Sequence, residues 1–210
     1  MKILITGGAG FIGGYLARSL SDDHEVFLCD LPNHFSINDK KNFQCIECDI
    51  SKASSLKNLP KVDVVYHLAA QSGTASAIKN LNKDLSWNAQ GTLNVVQYVL
   101  EHDIKKMCFT SSMAVYGNAV DADESCETKP TSPYGISKLC AENYVNYLKR
   151  VSPDVHAVIF RIFNCYGPGQ DTKNQTQGIA SIFMEQIDKG NRIEVTGDLS
   201  RRRDLIYIDD

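Results

Sequence analysis

Short apolar, β-branched runs alternate along this chain with longer stretches in which apolar residues recur at helical period. Lys2–Thr6, Glu25–Cys29, Phe43–Glu47, Val62–Leu68, Lys106–Thr110 and Val155–Ile162 read as strands. Phe11–Leu20, Asn82–His102 (apolar face Trp87, Val95, Val96 and Val99) and Pro133–Arg150 read as helices. The alternation predicts an α/β fold, a doubly wound parallel sheet with helices on both faces. Ser51 reads as the cap of a short helix, and Ser132 as the cap of the helix that Pro133 begins. A helix near Gly178–Lys189 and a strand near Ile193–Val195 follow. A last strand over 204–208 is expected to return to the core.

The first strand runs through Gly7, Gly10 and Gly13 directly into a helix. Free N–H groups and the positive end of the helix dipole then face whatever lies above the turn, around Phe11 and Ile12. Glycines let a pyrophosphate approach the backbone, and an acidic residue is required about twenty positions on. Asp30 closes the second strand there. Its carboxylate suits ribose hydroxyls and repels a 2′-phosphate, which favours NAD over NADP. Asp49 and Ile50 end the third strand, with Asp49 either reaching an adenine or simply solvated. Leu68, Ala69, Ala70 and Gln71 end the fourth strand with small residues against which a cofactor can lie. Asn88 is a candidate to bond backbone beside it, whereas His67 reads as a packed, structural histidine. Residues 1–170 are accordingly the expected dinucleotide-binding domain, and 171–210 the start of a substrate-binding portion.

Composition narrows the reading further. The formal net charge is −3 with basic residues scattered, which argues against nucleic-acid or anionic-membrane surfaces. No apolar stretch is long enough to span a bilayer, and glycines interrupt the N-terminal run that superficially resembles a signal peptide. The seven cysteines are odd in number. Cys45 and Cys48 form an isolated C-x-x-C without a second pair, so no metal site is expected, and reduced thiols point to a cytoplasmic protein.

Tyr134 and Lys138 lie four residues apart and share one helix face. A phenol ionises near pH 10, and an ammonium one turn away, together with the positive nicotinamide ring of a bound dinucleotide, would bring it down towards the range of a general base. Ser112, at the end of a neighbouring strand, is placed to bond the same substrate hydroxyl. A tyrosine–lysine pair at this spacing is most often a surface pair; the dinucleotide turn upstream makes it a catalytic candidate here.

The motifs TGGAGFIG, HLAAQ, SSMAVYG, SPYGISK, RIFNCYGPGQ and RRRDLIYIDD together resemble the extended short-chain dehydrogenase/reductases of the NAD-dependent epimerase/dehydratase family, UDP-galactose 4-epimerase type. The resemblance implies a Rossmann-type domain, NAD as cofactor and a nucleotide-diphosphate sugar as substrate. It makes Tyr134 the base, Lys138 its tuning group and nicotinamide-ribose ligand, and Ser112 an assistant. Phe163 would lie by the nicotinamide, with Asn164, Ile179 and Arg203 on the substrate side and Arg201 and Arg202 as solvated neighbours. A structural ion pair with Asp204 is the other reading of Arg203. Related 4,6-dehydratases carry an acidic pair after the catalytic Ser/Thr, where this chain has Met113-Ala114; that favours a 4-epimerase. A keto-sugar reductase needs the same residues, and a non-catalytic NAD-binding protein is the third reading. Relatives with a Gly-Val-Arg run after HLAAQ differ from the Gly73-Thr74-Ala75 found here. The resemblance also implies that relatives continue into a portion that builds most of the substrate lobe, so that the chain is expected to be either a fragment or a truncated product with an open substrate side, and that helices 82–102 and 133–150 pair in a homodimer.

Overall fold

The computed structural model describes residues 1–173, 178–190, 192–195, 198–200 and 202–210. They divide into two compact units, Met1–Arg161 and Ile162–Asp210. In the first unit, β1 (Lys2–Thr6), α1 (Phe11–Leu20), β2 (Glu25–Asp30), α2 (Ile37–Asn42), β3 (Gln44–Glu47), α3 (Ala53–Leu56) and β4 (Val64–His67) follow in turn. Then come α4 (Thr74–Lys79), α5 (Leu81–Leu85), a π-helical turn (Ser86–Gln90), α6 (Gly91–Glu101), β5 (Lys106–Ser112), a 3₁₀ turn (Met113–Tyr116), α7 (Pro133–Val151) and β6 (His156–Ile162). The sheet order is β3-β2-β1-β4-β5-β6. The registers Thr6↔Cys29, Thr6↔His67, Cys29↔Ile46 and His67↔Phe109 are all parallel.

Period-two alternation fills both faces of the sheet. Ile3, Ile5, Val26, Leu28 and Val64 pack on the α1 side with Ala17 and Phe35. Leu4, Phe27, Val65, Met107 and Phe109 pack on the other side with Val95 and Val99 of α6 and Ala141, Val145 and Leu148 of α7. Because the strands are parallel, their carboxyl ends share one edge. The chain reverses its winding between β1 and β4, which opens a crevice at that edge. Gly7 follows β1 and Ala69 follows β4 there, and a Cβ on Gly7 would sit 2.7 Å from the Ala69 nitrogen.

Several expected elements take another form. The helix 82–102 is built from α5, the π turn and α6, with the Gly91 N–H reaching back to the Ser86 carbonyl. The polar segment INDKKN has no apolar period, yet it forms α2 because Ser36 and Asp39 complete a capping box. Ser51 does not cap α3, whose cap is Lys52; its hydroxyl bonds Asp49 instead, at 2.7 Å. Ser132 does cap α7, accepting from the Gly135 N–H at 3.1 Å.

In the second unit, β7 (Asn164–Tyr166) pairs in parallel with β8 (Leu205–Tyr207), and α8 spans Ile179–Asp188. The strand expected to return to the core therefore belongs to a separate two-stranded sheet. Exposed Leu205 and Ile206 do not bury a core face. Residues 193–195 form no strand.

The glycine turn gives a direct stability test. A Cβ on Gly13 would meet the Gly7 carbonyl oxygen at 2.2 Å, and Gly7 also holds φ +74°. Gly7→Ala and Gly13→Ala should each lower stability by about 2 kcal/mol or more in urea titrations. Gly190→Ala, with positive φ but nothing within 4 Å, should lose only about 1 kcal/mol.

Candidate active site

The glycine turn is fixed from both sides. Gly7 and Gly8 N–H groups donate to the Cys29 carbonyl at 2.8 and 3.2 Å, and Gly10 N–H donates to Gly7 at 3.0 Å. The helical ladder of α1 begins with Gly14 N–H on the Gly10 carbonyl, and no side chain caps the N–H groups ahead of it. Phe11, Ile12 and Gly13 thus present donors at a helix start, the arrangement that takes a diphosphate.

Asp30 ends β2 beside this turn. Its Oδ2 accepts from Ala9 N–H at 3.0 Å, and its Oδ1 accepts from Leu31 N–H at 2.8 Å and lies 3.0 Å from His34 Nδ1. The carboxylate therefore both braces the glycine turn and keeps acceptor capacity on Oδ2. Asp49 is held by Ser51 and by an ion pair with Lys52 at 3.4 Å. Burial raises the Asp49 carboxyl, and the bonds from Ser51 and Lys52 outweigh it to leave the group below its ordinary value. Ile50 is a core residue, its side chain against Gly91 and its carbonyl accepting from Asn94 Nδ2 at 2.7 Å. Leu68 and Ala69 are half-buried at the end of β4, each packed against one of the two cores, and Ala70 is half-buried beside them.

His67 is structural, as its position in the sequence suggests. Thr6 Oγ1 accepts from Ala69 N–H, so its own proton goes to His67 Nδ1 at 2.7 Å. Thr92 donates to the Asn88 carbonyl at 2.6 Å, so its oxygen accepts from His67 Nε2–H at 3.0 Å. The network thus fixes one neutral tautomer. Burial, with help from the Lys138 charge, pushes the ring down to about 3.

Tyr134, Lys138 and Ser112 do come together. Ser112 ends β5, where its Oγ accepts from Ala114 N–H at 3.2 Å, and it is near enough to the Tyr134 phenol to favour its ionised form. Lys138, one turn along α7, is 2% exposed, with Nζ 4.3 Å above the Phe109 ring. Burial pushes it from the ordinary lysine value of 10.5 down to about 7, against the pull of the Glu142 and Asp84 carboxylates. The expected fall of Tyr134 is not what the protein itself supplies. Burial pushes the phenol up, Ser112 opposes that, and Asp84 adds to the rise. Sequence spacing reveals the ammonium but not the desolvation of both groups.

Asn88 is buried on the π turn. Its Oδ1 accepts from Gln71 N–H at 2.8 Å, and its Nδ2 lies within 3.1 Å of the Gln71 carbonyl, 3.0 Å of Asp84 Oδ1 and 2.9 Å of Ser137 Oγ. The sequence reading missed Asp84 and Ser137; their spacing to Asn88 and Tyr134 (four and three residues) was the available signal. Two buried oxygens have no protein partner among the described residues, Gln71 Oε1 and Ser111 Oγ, at the ends of β4 and β5. Buried polar atoms ordinarily have partners, so this edge is built for a polar ligand. With the glycine cradle, it fits a dinucleotide.

Phe163, Asn164, Ile179 and Arg203 belong to the second unit. Asn164 Nδ2 donates to the Asp204 carbonyl at 2.8 Å, Ile179 opens α8, and Arg203 is half-buried. Arg202 is exposed, and Arg201 lies outside the described residues. No helix among the described residues is long and apolar enough to cross a membrane.

Sheet order, glycine cradle and the Ser112/Tyr134/Lys138 cluster define a Rossmann-type domain with a polar site on its carboxyl edge. The model of the NAD dependent epimerase/dehydratase family matches residues 3–210, and the chain belongs to that family. A putative UDP-glucose 4-epimerase of Methanocaldococcus jannaschii is 34% identical over 215 residues, covering 99% of this chain and 70% of the relative. The crystal structure of UDP-glucose 4-epimerase from Thermotoga maritima with UDP-glucose is similar at TM-score 0.90 and 30% identity, covering 100% of this chain and 70% of that one. The Thermus thermophilus UDP-glucose 4-epimerase complex with NAD has TM-score 0.87 at 28% identity, covering 99% and 71%.

The buried ammonium makes stability depend on pH. Lys138 is depressed in the folded state, so its contribution is present above about 10.5 and lost as pH falls through about 7. Lys138→Met should therefore be more stable than the parent at pH 7, with the gap closing towards pH 10 in urea titrations.

Proposed function

We propose that the chain is the NAD-binding and catalytic part of a nucleotide-sugar 4-epimerase acting on a UDP-hexose or UDP-N-acetylhexosamine through a transient 4-keto sugar. The observation that carries this reading is the grouping of Ser112, at the end of β5, with Tyr134 and buried Lys138 of α7, in the domain whose sheet edge also holds the glycine cradle. When bound, NAD⁺ would supply the acceptor for the carbon-bound hydride and return it. Gly7, Gly10, Phe11, Ile12 and Gly13 would hold its diphosphate and Asp30 a ribose. Asp49, Ile50, Leu68, Ala69, Ala70, Gln71, Asn88 and Phe163 would complete the cofactor contacts, with Lys138 on the nicotinamide ribose.

The sugar 4-hydroxyl gives its proton to the Tyr134 oxygen, which takes it as a phenolate that the Lys138 charge and a bound NAD⁺ would favour against burial, while Ser112 holds the hydroxyl in line. The keto sugar takes the same proton back after presenting its other face, so no net oxidation results. Burial excludes water and makes the charge of Lys138 effective at short range. Asn164 and Arg203 are the proposed donors for the substrate diphosphate, with Ile179 an apolar contact; a planar guanidinium suits two oxygens at once. Met113 and Ala114 offer no acid for elimination, which favours epimerisation over dehydration within the family.

A homodimer through α5, α6 and α7 is part of the same reading. Exposed Leu81 and Leu85 on α5 and Ile136, Tyr147 and Val151 on α7 supply apolar surface for it. Sedimentation of the parent chain should show a dimer, and Leu85→Glu with Ile136→Glu should shift it to monomer. The absence of a membrane span among the described residues is compatible with action in the cytoplasm.

The deciding experiment incubates the protein and NAD⁺ with UDP-glucose, UDP-galactose and their N-acetyl forms, then separates the products. Interconversion without net NADH is expected. Stoichiometric NAD(P)H consumption with a keto sugar would make it a reductase, and NAD retention without turnover a binding protein. Tyr134→Phe should lower kcat by about 10²–10⁴-fold with NAD affinity retained.

A further inference from the structure

α5 inverts the usual rule for a short surface helix. It buries its carboxylate, Asp84 at 2% exposure, and leaves Leu81 and Leu85 each 56% exposed. A carboxylate is carried inward over two leucines only if the interior needs it. The interior here is the underside of α7. Asp84 Oδ1 accepts from Asn88 Nδ2 at 3.0 Å, and the same Asn88 amide lies 2.9 Å from Ser137 Oγ. Ser137 Oγ lies 3.0 Å from the Tyr134 carbonyl, which it serves as donor.

The Asn88 amide has two protons to give and the Ser137 hydroxyl one. They face the Gln71 carbonyl, the Asp84 carboxylate, Ser137 Oγ and the Tyr134 carbonyl. Three protons thus serve four acceptors, with the Asn88 amide divided among three of them, and the ionised carboxylate is one of the acceptors that hold it in place.

We propose that Asp84 is the positioning residue of this site, holding the Asn88 amide that in turn bonds Ser137 beneath α7, and presenting its negative charge to the Tyr134–Lys138 pair. The inference rests on the roles given to Tyr134 and Lys138 above. Other charged groups facing the pair are accounted for. Glu142, on α7 itself, is tied to Arg161 of β6 by two bonds at 3.0 and 2.8 Å, and that guanidinium stacks 4.8 Å from the Tyr116 ring of the 3₁₀ turn. From β4 the neighbour is His67, neutral in its network. From β5 it is the Phe109 ring. Lys83, beside Asp84 on α5, is exposed and sits 4.1 Å over the Trp87 ring. Asp84 is thus the carboxylate near the pair that has no guanidinium of its own.

Its charge favours the protonated form of both partners, raising Lys138 against burial and adding to the rise of Tyr134. Asp84→Asn keeps an acceptor for Asn88 and removes the charge. The bell-shaped pH profile of epimerisation should then move as a whole to lower pH, with the ratio of turnover at pH 6 to turnover at pH 9 rising several-fold. A residue serving only the fold would lower the bell and leave it in place. Carbon-13 NMR titrations of Tyr134 Cζ and Lys138 Cε read the same displacement without any substrate, and both midpoints should fall in Asp84→Asn. Midpoints equal to the parent's would overturn the proposal. If the variant does not fold, the Asp84 carboxyl carbon of the parent is followed instead. It should report a second inflection in step with Lys138, and a single independent step would count against the proposal. A parent chain with no turnover of any UDP-sugar would sink the enzymatic reading, while the NMR titrations would still decide the role of Asp84.

Discussion

A lysine ammonium kept out of water is the constraint around which the first unit is arranged. Desolvating one positive charge is costly unless charge and dipoles are supplied close by. The Phe109 face, Asp84 and Glu142 supply them, and Arg161 in turn occupies Glu142. With His67 held neutral, Lys138 and Arg161 are the basic groups set against the Asp84 and Glu142 carboxyls. The ammonium remains close enough to neutrality, at about 7, for small changes in its surroundings to alter its state.

The same groups join the two halves of the site. Thr6, at the end of β1, bonds His67; His67 bonds Thr92; Thr92 bonds the Asn88 backbone; the Asn88 side chain bonds Gln71, Asp84 and Ser137; and Ser137 bonds Tyr134. One continuous run of hydrogen bonds therefore leads from the strand beneath the glycine turn to the backbone of the proposed base. Locked side chains of this kind hold reacting groups in place more accurately than surface loops do.

Much of this was legible in the sequence because it is encoded locally. The glycine spacing, Asp30 at the end of β2 and the four-residue step from Tyr134 to Lys138 need only strand and helix geometry to be read. The short helices α2 and α4 escaped because six residues carry too little apolar period, and α2 depends on a capping box rather than a buried face. The strand at 205–207 was visible as an apolar run, but its partner depends on tertiary contacts. Asp84 reads in sequence as one more acid on a solvated helix, and only packing turns it inward. The rise that burial gives Tyr134 in the protein alone was hidden for the same reason, since depth is a property of the fold.

The wide turn at 86–90 has a consequence for how much length variation the chain tolerates. There the backbone accommodates one residue more than an α-helical turn, with Gly91 bonded to a carbonyl five positions back. Removing one residue from the turn would let it close into the ordinary α-helical form, and the flanks would keep their phase because the surplus residue is what the wide turn absorbs. The same deletion farther along α6 would swing everything beyond it by about 100°. Asp84 and Thr92 would keep their facing in the first case, and the hydrogen-bonded run through Asn88 would be broken in the second. Within this one helix, therefore, a gap in the wide turn that spares Asn88 costs less than a gap anywhere else.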